Sequence, residues 1–312
     1  MNKQEKERVW QGFWQLADPK IWIASTVPML VAAALAYGNT GRFHIGWFLL
    51  SVAGIYLIET GKNAINEYVD YKSGADRNVT PENRTPFSGG KKTIVDGKLT
   101  LGEVKVISYG TMLAACAIGL FIVLYREFDV LWIGLAGVFL SVFYSVPPFS
   151  FAYSGLGELA VGLTFGPLIT TGMYLVLTGS VQPEVVAASI PIGFLIANVL
   201  WINQYPDYEA DKKAGKHNWV VRMGKERGVR VYAALFAMAY AMFPVLALLY
   251  RNPVWLLGLV SIPVAVRSVK VAKREFNYTP RLIQANAGTV QVYQITGIIM
   301  VIAALSNRFI SI

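Results

Sequence analysis

The stretch Asn63-Ala64-Ile65-Asn66-Glu67-Tyr68-Val69-Asp70-Tyr71-Lys72-Ser73-Gly74-Ala75-Asp76 follows a long apolar run and opens a polar, basic loop. Far downstream, Asn203-Gln204-Tyr205-Pro206-Asp207-Tyr208-Glu209-Ala210-Asp211-Lys212 follows another apolar run. Each places an Asn and an Asp four residues apart, a spacing that stacks side chains on one face of a helix. Asn63, Asn66 and Asp70 share such a face, as do Asn203, Asp207 and Asp211 if the second helix continues. Asn66 matches Asn203 and Asp70 matches Asp207, a pattern that an old duplication of four helices would leave.

Around these motifs the chain is strongly apolar. Of its 312 residues 54% are hydrophobic and 15% charged, where a soluble domain would carry about a quarter charged residues. Apolar runs recur at roughly 21–37, 44–66, 103–125, 129–147, 156–178, 185–205, 230–250, 253–272 and 287–307. At about 20 residues each they read as nine transmembrane helices. The expected fold is therefore all-α and polytopic, one membrane domain over 1–312 with no low-complexity segment or interdomain linker. Residues 1–20 carry Trp10, Phe13, Trp14 and Leu16 among charges and read as an interfacial amphipathic segment, not a cleaved signal. Cys116, the single cysteine, reads as a small core residue, and one cysteine excludes an internal disulfide or a Cys-based metal site.

Charge placement sets the topology. Lys3, Lys6, Arg8, Lys20, Lys62, Lys72, Arg77, Arg84, Lys91, Lys92, Lys98 and Lys105 fall on the N-terminal side. So do the basic residues of 212–230 and 267–281, while Arg42, Arg126, Arg251 and Arg308 fall on the other. The positive-inside rule puts the N-terminus and both acidic motifs in the cytoplasm and the C-terminus outside, in the cell (inner) membrane. Topology and anionic lipid account for the net charge of +9, so nucleic acid is not an expected partner. Two long cytoplasmic loops, 67–102 and 206–229, have the length of lids or binding loops. The Ser88-Gly89-Gly90 turn in the first has the form of an anion-binding nest.

Carboxylates near a bilayer are costly, about 2.5–3.5 kcal/mol each on insertion scales, and two facing clusters repel unless a cation lies between them. Asp and Asn ligands without His or Cys favour a hard ion such as Mg²⁺, which is commonly shared with phosphates. Lys72, Arg84, Lys91, Lys212, Lys216 and Arg222 supply the anion-binding half. A diphosphate beside a membrane cavity points to an isoprenoid diphosphate, with a lipid-soluble tail and a charged head. An allylic cation then needs a dry, electron-rich pocket, for which Tyr68, Tyr71, Phe143, Tyr144, Tyr153 and Tyr205 are the candidates. A rival of another class, an ion-coupled transporter, would place its acidic residues near mid-bilayer in broken helices.

At these residues the chain resembles the UbiA superfamily of intramembrane aromatic prenyltransferases. Their first motif, N-D/E-x-x-D followed closely by another Asp, reads Asn66-Glu67-Tyr68-Val69-Asp70 with Asp76. Their second, D-x-x-x-D overlapping Y-x-x-x-K, reads Asp207 to Asp211 and Tyr208 to Lys212. The likeness extends through Phe143-Tyr144-Ser145-Val146-Pro147-Pro148 and Gly155-Leu156-Gly157-Glu158. It implies a ring of helices around a central cavity with a cytoplasmic cap. It implies Mg²⁺ held by Asn66, Asp70, Asp76, Asp207 and Asp211, and diphosphate held by Lys212, Arg84 and Lys91. Asn63 and Asn203 would support the ligands, Tyr144, Tyr208, Lys72, Lys216 and Arg222 would complete the site, and Glu67 stands where many members have Asp. The wording of both loops, with Val221-Arg222-Met223-Gly224, is most similar to the menaquinone-pathway branch. That branch joins a polyprenyl chain to 1,4-dihydroxy-2-naphthoate with loss of the carboxylate. Other branches act on 4-hydroxybenzoate, on haem, chlorophyll or tocopherol precursors, or on glycerol ether lipids.

Overall fold

A computed structural model describes residues 2–87 and 90–310. Ser88 and Gly89, two thirds of the expected anion-binding turn, lie outside the described residues. Among the described residues there are helices and turns but no strands. In chain order the principal helices are α1 (Lys3–Ala17), α2 (Ile23–Thr40), α3 (Ile45–Ser73), α4 (Leu101–Tyr125) and α5 (Val130–Phe143). They continue with α6 (Gly157–Thr178), α7 (Pro183–Asn203), the short α8 (Tyr208–Lys213), α9 (Lys225–Leu249), α10 (Pro253–Glu275) and α11 (Thr279–Ser306).

Seven of these, α2, α4, α6, α7, α9, α10 and α11, are long and apolar enough to cross a membrane. The other two expected spans differ. α5 is apolar but only 14 residues long. α3 has 29 residues and carries Glu59, Lys62, Glu67 and Asp70 along its second half. It also runs further than the sequence reading placed it: the first motif lies inside the helix, and the loop begins only at Gly74, whose φ of 86° caps the helix in the left-handed region.

The halves are packed differently. α2, α6, α7, α9, α10 and α11 bury a common core that includes Leu35, Tyr174, Trp201, Phe243, Trp255 and Tyr293. α4 instead lies along α3 and turns Val106, Leu113, Leu120 and Leu124 outward, the arrangement of a lipid-facing helix. α1 packs beside α3 with Gly12, Leu16 and Ala17 buried and Trp10 exposed. Its Gly12 meets Leu99 and the Lys98 carbonyl closely, leaving no room for a larger residue. Arg8 clamps it to Glu103 through a bidentate ion pair, with Nη2–Oε1 at 2.6 Å and Nη1–Oε2 at 3.0 Å.

Between α3, α4, α5 and α6 lies an apolar chamber of about 290 Å³. Gly119, Gly134 and Gly137 line it, and a Cβ on any of them would meet open space, so small residues create the volume. Cys116 is exposed on this wall rather than buried in the core as expected. The α4–α5 packing that opens the chamber also uncovers it. α6 passes the chamber through a π-helical turn at Thr164–Leu168, which contains Pro167.

Candidate active site

The site is assembled on the stripe Asn66–Asp70 of α3. One turn apart, Asn66 donates Nδ2 to Asp70 Oδ2 at 2.9 Å, as the four-residue spacing requires. Asn66 Oδ1 accepts from Ser145 Oγ at 2.8 Å, which anchors the end of α5 here. The Tyr153 hydroxyl donates to Asp70 Oδ1 at 2.6 Å. Burial, with Asp70 beside it, raises the Tyr153 hydroxyl above its usual range and keeps it a donor.

The second motif reaches the first through one cation. α8 ends in a Schellman turn: Lys216 N–H bonds the Asp211 carbonyl at 2.8 Å and Gly215 N–H the Lys212 carbonyl at 3.3 Å. Gly215, at φ 72°, supplies the left-handed residue that this turn needs. The turn folds Lys216 back over its own helix. Its Nζ lies 3.2 Å from Asp70 Oδ2 and 3.8 Å from Asp211 Oδ1. Burial opposes that charge, but Asp211 and Asp70 outweigh it and raise Lys216 well above its usual range. Asn218 Nδ2 fixes the other Asp211 oxygen at 2.8 Å. Asp207 is buried at the head of α8, one turn before Asp211.

Asp76 completes the acidic group from the loop after α3. It is buried, Lys92 Nζ lies 3.9 Å from Oδ1, and Gly90 packs so tightly on its carboxylate that no side chain would fit there. Burial, then Asp70 and Glu67, pushes the Asp76 carboxyl up to about 8. Burial pushes Asp211 up to about 6, with Lys216 pulling the other way.

Glu67 is fully buried and its carboxylate is taken by the following loop. Its two oxygens accept Lys91 N, Lys92 N, Thr93 Oγ1 and Ile94 N at 2.8–3.0 Å. One carboxylate thus folds the loop that carries Gly90 and Lys92.

Other expected residues lie outside the cluster. Lys91 pairs with Asp18 at 2.8 Å and Arg84 with Asp96 at 3.0 Å. Lys72 lies over the Tyr68 ring at 5.0 Å, and Lys212 is exposed on α8. Arg222 straps the loops together through the Ser154 and His217 carbonyls, both at 2.8 Å. Tyr208 lies under Lys225, Tyr71 under Arg77, and the Tyr205 hydroxyl bonds the Lys225 carbonyl. Phe143 meets the Phe139 ring at a tilt and the Phe149 ring edge-on. Buried Asn63 reaches the Leu16 carbonyl at 3.5 Å. Asn203 accepts from Asn286 at 2.8 Å and not from its own motif. The helix does not continue as the spacing allowed: it stops at Asn203, because Pro206 disfavours the α region at Tyr205 and has no N–H to donate.

The donors fit a hard divalent cation. They are all oxygens, and Asp76 Oδ2 is buried with no hydrogen-bond partner among the described residues. Among the described residues no three carboxyl, imidazole or thiol groups converge tightly enough to hold an ion as they stand. Asp70 and Asp211 are instead gathered around the Lys216 ammonium, a positive charge already standing between the two motifs.

Residues 25–281 match the UbiA prenyltransferase family, and the chain belongs to that family. It is 29% identical to the 1,4-dihydroxy-2-naphthoate octaprenyltransferase of Bacillus subtilis (strain 168) over 98% of this chain and 96% of that protein. It is 28% identical to the 2-carboxy-1,4-naphthoquinone phytyltransferase of Synechocystis sp. over 81% of this chain and 79% of that one. Among solved structures, a UbiA homolog from Archaeoglobus fulgidus bound to GPP and Mg²⁺ shares the fold with a TM-score of 0.67 at 18% identity, over 96% of this chain and 100% of that one.

Proposed function

We propose that the protein transfers a polyprenyl group from an isoprenoid diphosphate to an aromatic acceptor, in a Mg²⁺-dependent reaction, and that the acceptor is 1,4-dihydroxy-2-naphthoate in menaquinone biosynthesis. The observation that carries this reading is Lys216 joining Asp70 of one motif to Asp211 of the other, with an apolar chamber in the same helix bundle. The names of the relatives support the naphthoate acceptor. The charge asymmetry between the two sides supports a cytoplasmic N-terminus and site loops with the C-terminus outside.

Asn66, Asp70, Asp76, Asp207 and Asp211 would hold the metal. When bound, Mg²⁺ supplies positive charge to the diphosphate oxygens and so stabilises the leaving group. Lys216, partly buried and fixed by its turn, donates to the diphosphate head. The chamber takes the apolar tail, and its apolar walls keep water from the allylic carbon. The C1–O bond breaks with its electron pair leaving on the diphosphate. A ring carbon of the electron-rich acceptor then bonds C1. The acceptor carboxylate departs as CO₂, and its C–C bonding pair returns to the ring, so no oxidant or reductant is required. Tyr144, which lines a small cavity beside the chamber, would border this step.

Purified protein offered geranylgeranyl diphosphate with naphthoate and hydroxybenzoate acceptors, its products identified by mass, tests the reading. Decarboxylated prenyl naphthalenediol, absent with EDTA and restored by Mg²⁺, is the expected product. No prenylated aromatic with any acceptor, or full activity in EDTA, overturns it.

A further inference from the structure

The same face of α3 continues two turns below Asp70. Lys62, Asn66 and Asp70 follow at four-residue intervals, which sets Lys62 about 12 Å along the helix from Asp70. Lys62 lines a cavity of about 40 Å³ with Glu59, Tyr144, Thr164 and Phe165. Its ammonium lies 5.3 Å from the centre of the Tyr144 ring. No ion pair or hydrogen bond holds it among the described residues. Glu59, about one turn earlier, lines the same cavity, and one of its oxygens accepts the Ser25 hydroxyl at 2.5 Å. An ammonium inside a membrane bundle is costly and is normally matched by an anion.

We propose that Lys62 is the subsite for the carboxylate of the aromatic acceptor. The cavity adjoins the large apolar chamber and offers one cation, and Glu59 on its wall disfavours a multiply charged anion. A singly charged aryl carboxylate suits one ammonium, with its ring against Tyr144. The cavity shares Ile55, Ile58, Ser141, Thr164 and Ile169 with the large apolar chamber. An acceptor held there lies between the acidic cluster and the space for the prenyl tail, where the allylic carbon of a bound diphosphate belongs. Lys62 thus selects acids over neutral phenols and positions the ring without joining the bond-making step. The assignment rests on the transfer reading given above.

The test compares Lys62→Met, Lys62→Arg and the Glu59→Gln/Lys62→Met double variant with wild type. KM is measured for 1,4-dihydroxy-2-naphthoate and for 1,4-naphthalenediol, which lacks the carboxylate. Lys62→Met should raise the naphthoate KM about 30-fold or more while leaving the prenyl diphosphate KM and the naphthalenediol KM within about threefold. Lys62→Arg should restore much of the naphthoate affinity, and the double variant should not. If Lys62→Met fails to fold, wild-type binding decides: 1-hydroxy-2-naphthoate should bind at least about tenfold more tightly than its methyl ester. An unchanged naphthoate KM in Lys62→Met, a double variant that behaves as wild type, or equal binding of acid and ester overturns the subsite. Wild type that transfers no prenyl group to any acceptor overturns the parent reading instead, so the two failures are separable.

Discussion

The two acidic motifs look equivalent in sequence and are built differently in space. The first lies inside one continuous helix, so Asn66 bonds Asp70 across a single turn. In the second, Pro206 breaks the helix between Asn203 and Asp207. Asn203 turns to Asn286 of α11, and Asp211 takes its support from Asn218 in the following loop. The first motif is thus a rigid rail, and the second is a short turn delivered to it by Lys216. A repeated pattern of residue types does not carry a repeated pattern of bonds when one copy contains a helix breaker.

Substitution should expose this asymmetry. The largest effect is expected at the carboxylates that face Lys216: Asp70→Asn and Asp211→Asn should each lower kcat about 10²–10³-fold or more, with the detergent-purified protein still folded. Near-normal turnover in either would dissolve the shared site.

Lys216→Met leaves Asp70 and Asp211 buried beside each other without their cation. The metal-free protein should lose about 3–5 kcal/mol of stability, and Mg²⁺ should recover part of it. Thermal unfolding with and without Mg²⁺ reads this directly, and a variant as stable as wild type in EDTA would remove Lys216 from the centre of the account.

Acidity gives a gentler probe. Burial holds Asp76 at about 8 and Asp211 at about 6 in the metal-free protein, so protons compete with the metal below those values. Mg²⁺ affinity should be full above pH 8 and fall by about tenfold per pH unit for each proton displaced as the pH drops toward 6. Affinity that is flat from pH 8.5 to 6 would mean that Asp76 does not bind the ion.

The smallest effect separates the two asparagines. Asn66→Ala removes a direct support of Asp70 and should lower kcat by about tenfold or more. Asn203→Ala leaves the Asn286 amide with one acceptor fewer, costs about 1–3 kcal/mol of stability, and should leave kcat within about threefold. Equal kinetic losses would restore the symmetric picture.

Much of this was readable from residue order alone. Helices across the long apolar runs, the acidic motifs at their ends and the meeting of the two motifs all follow from hydropathy and four-residue spacing. What escaped depends on partners that only the fold supplies. Lys91, Arg84 and Lys72 look like diphosphate ligands until α1 and the 90–98 turn bring up Asp18 and Asp96 and α3 presents Tyr68. Lys216, not Lys212, enters the cluster because the Gly215 turn reverses the chain, and the Gly215-Lys216 pair after a short polar helix was the available signal. Glu67 stands where many family members have Asp, and residue order gave it no role; its carboxylate is taken up by loop amides. Lys62 reads as one more cation of the basic side, although its place inside an apolar run, one turn after Glu59, already set it apart.

The central claim is that Asp70 and Asp211 form one metal-dependent diphosphate site. Calorimetric binding of geranylgeranyl S-thiolodiphosphate, which resists C–O cleavage, tests it without turnover. Wild type should bind the analogue with Mg²⁺ and lose it in EDTA, and Asp70→Asn and Asp211→Asn should each abolish Mg²⁺-dependent binding. Equal binding with and without Mg²⁺, or full binding in either variant, would contradict the account.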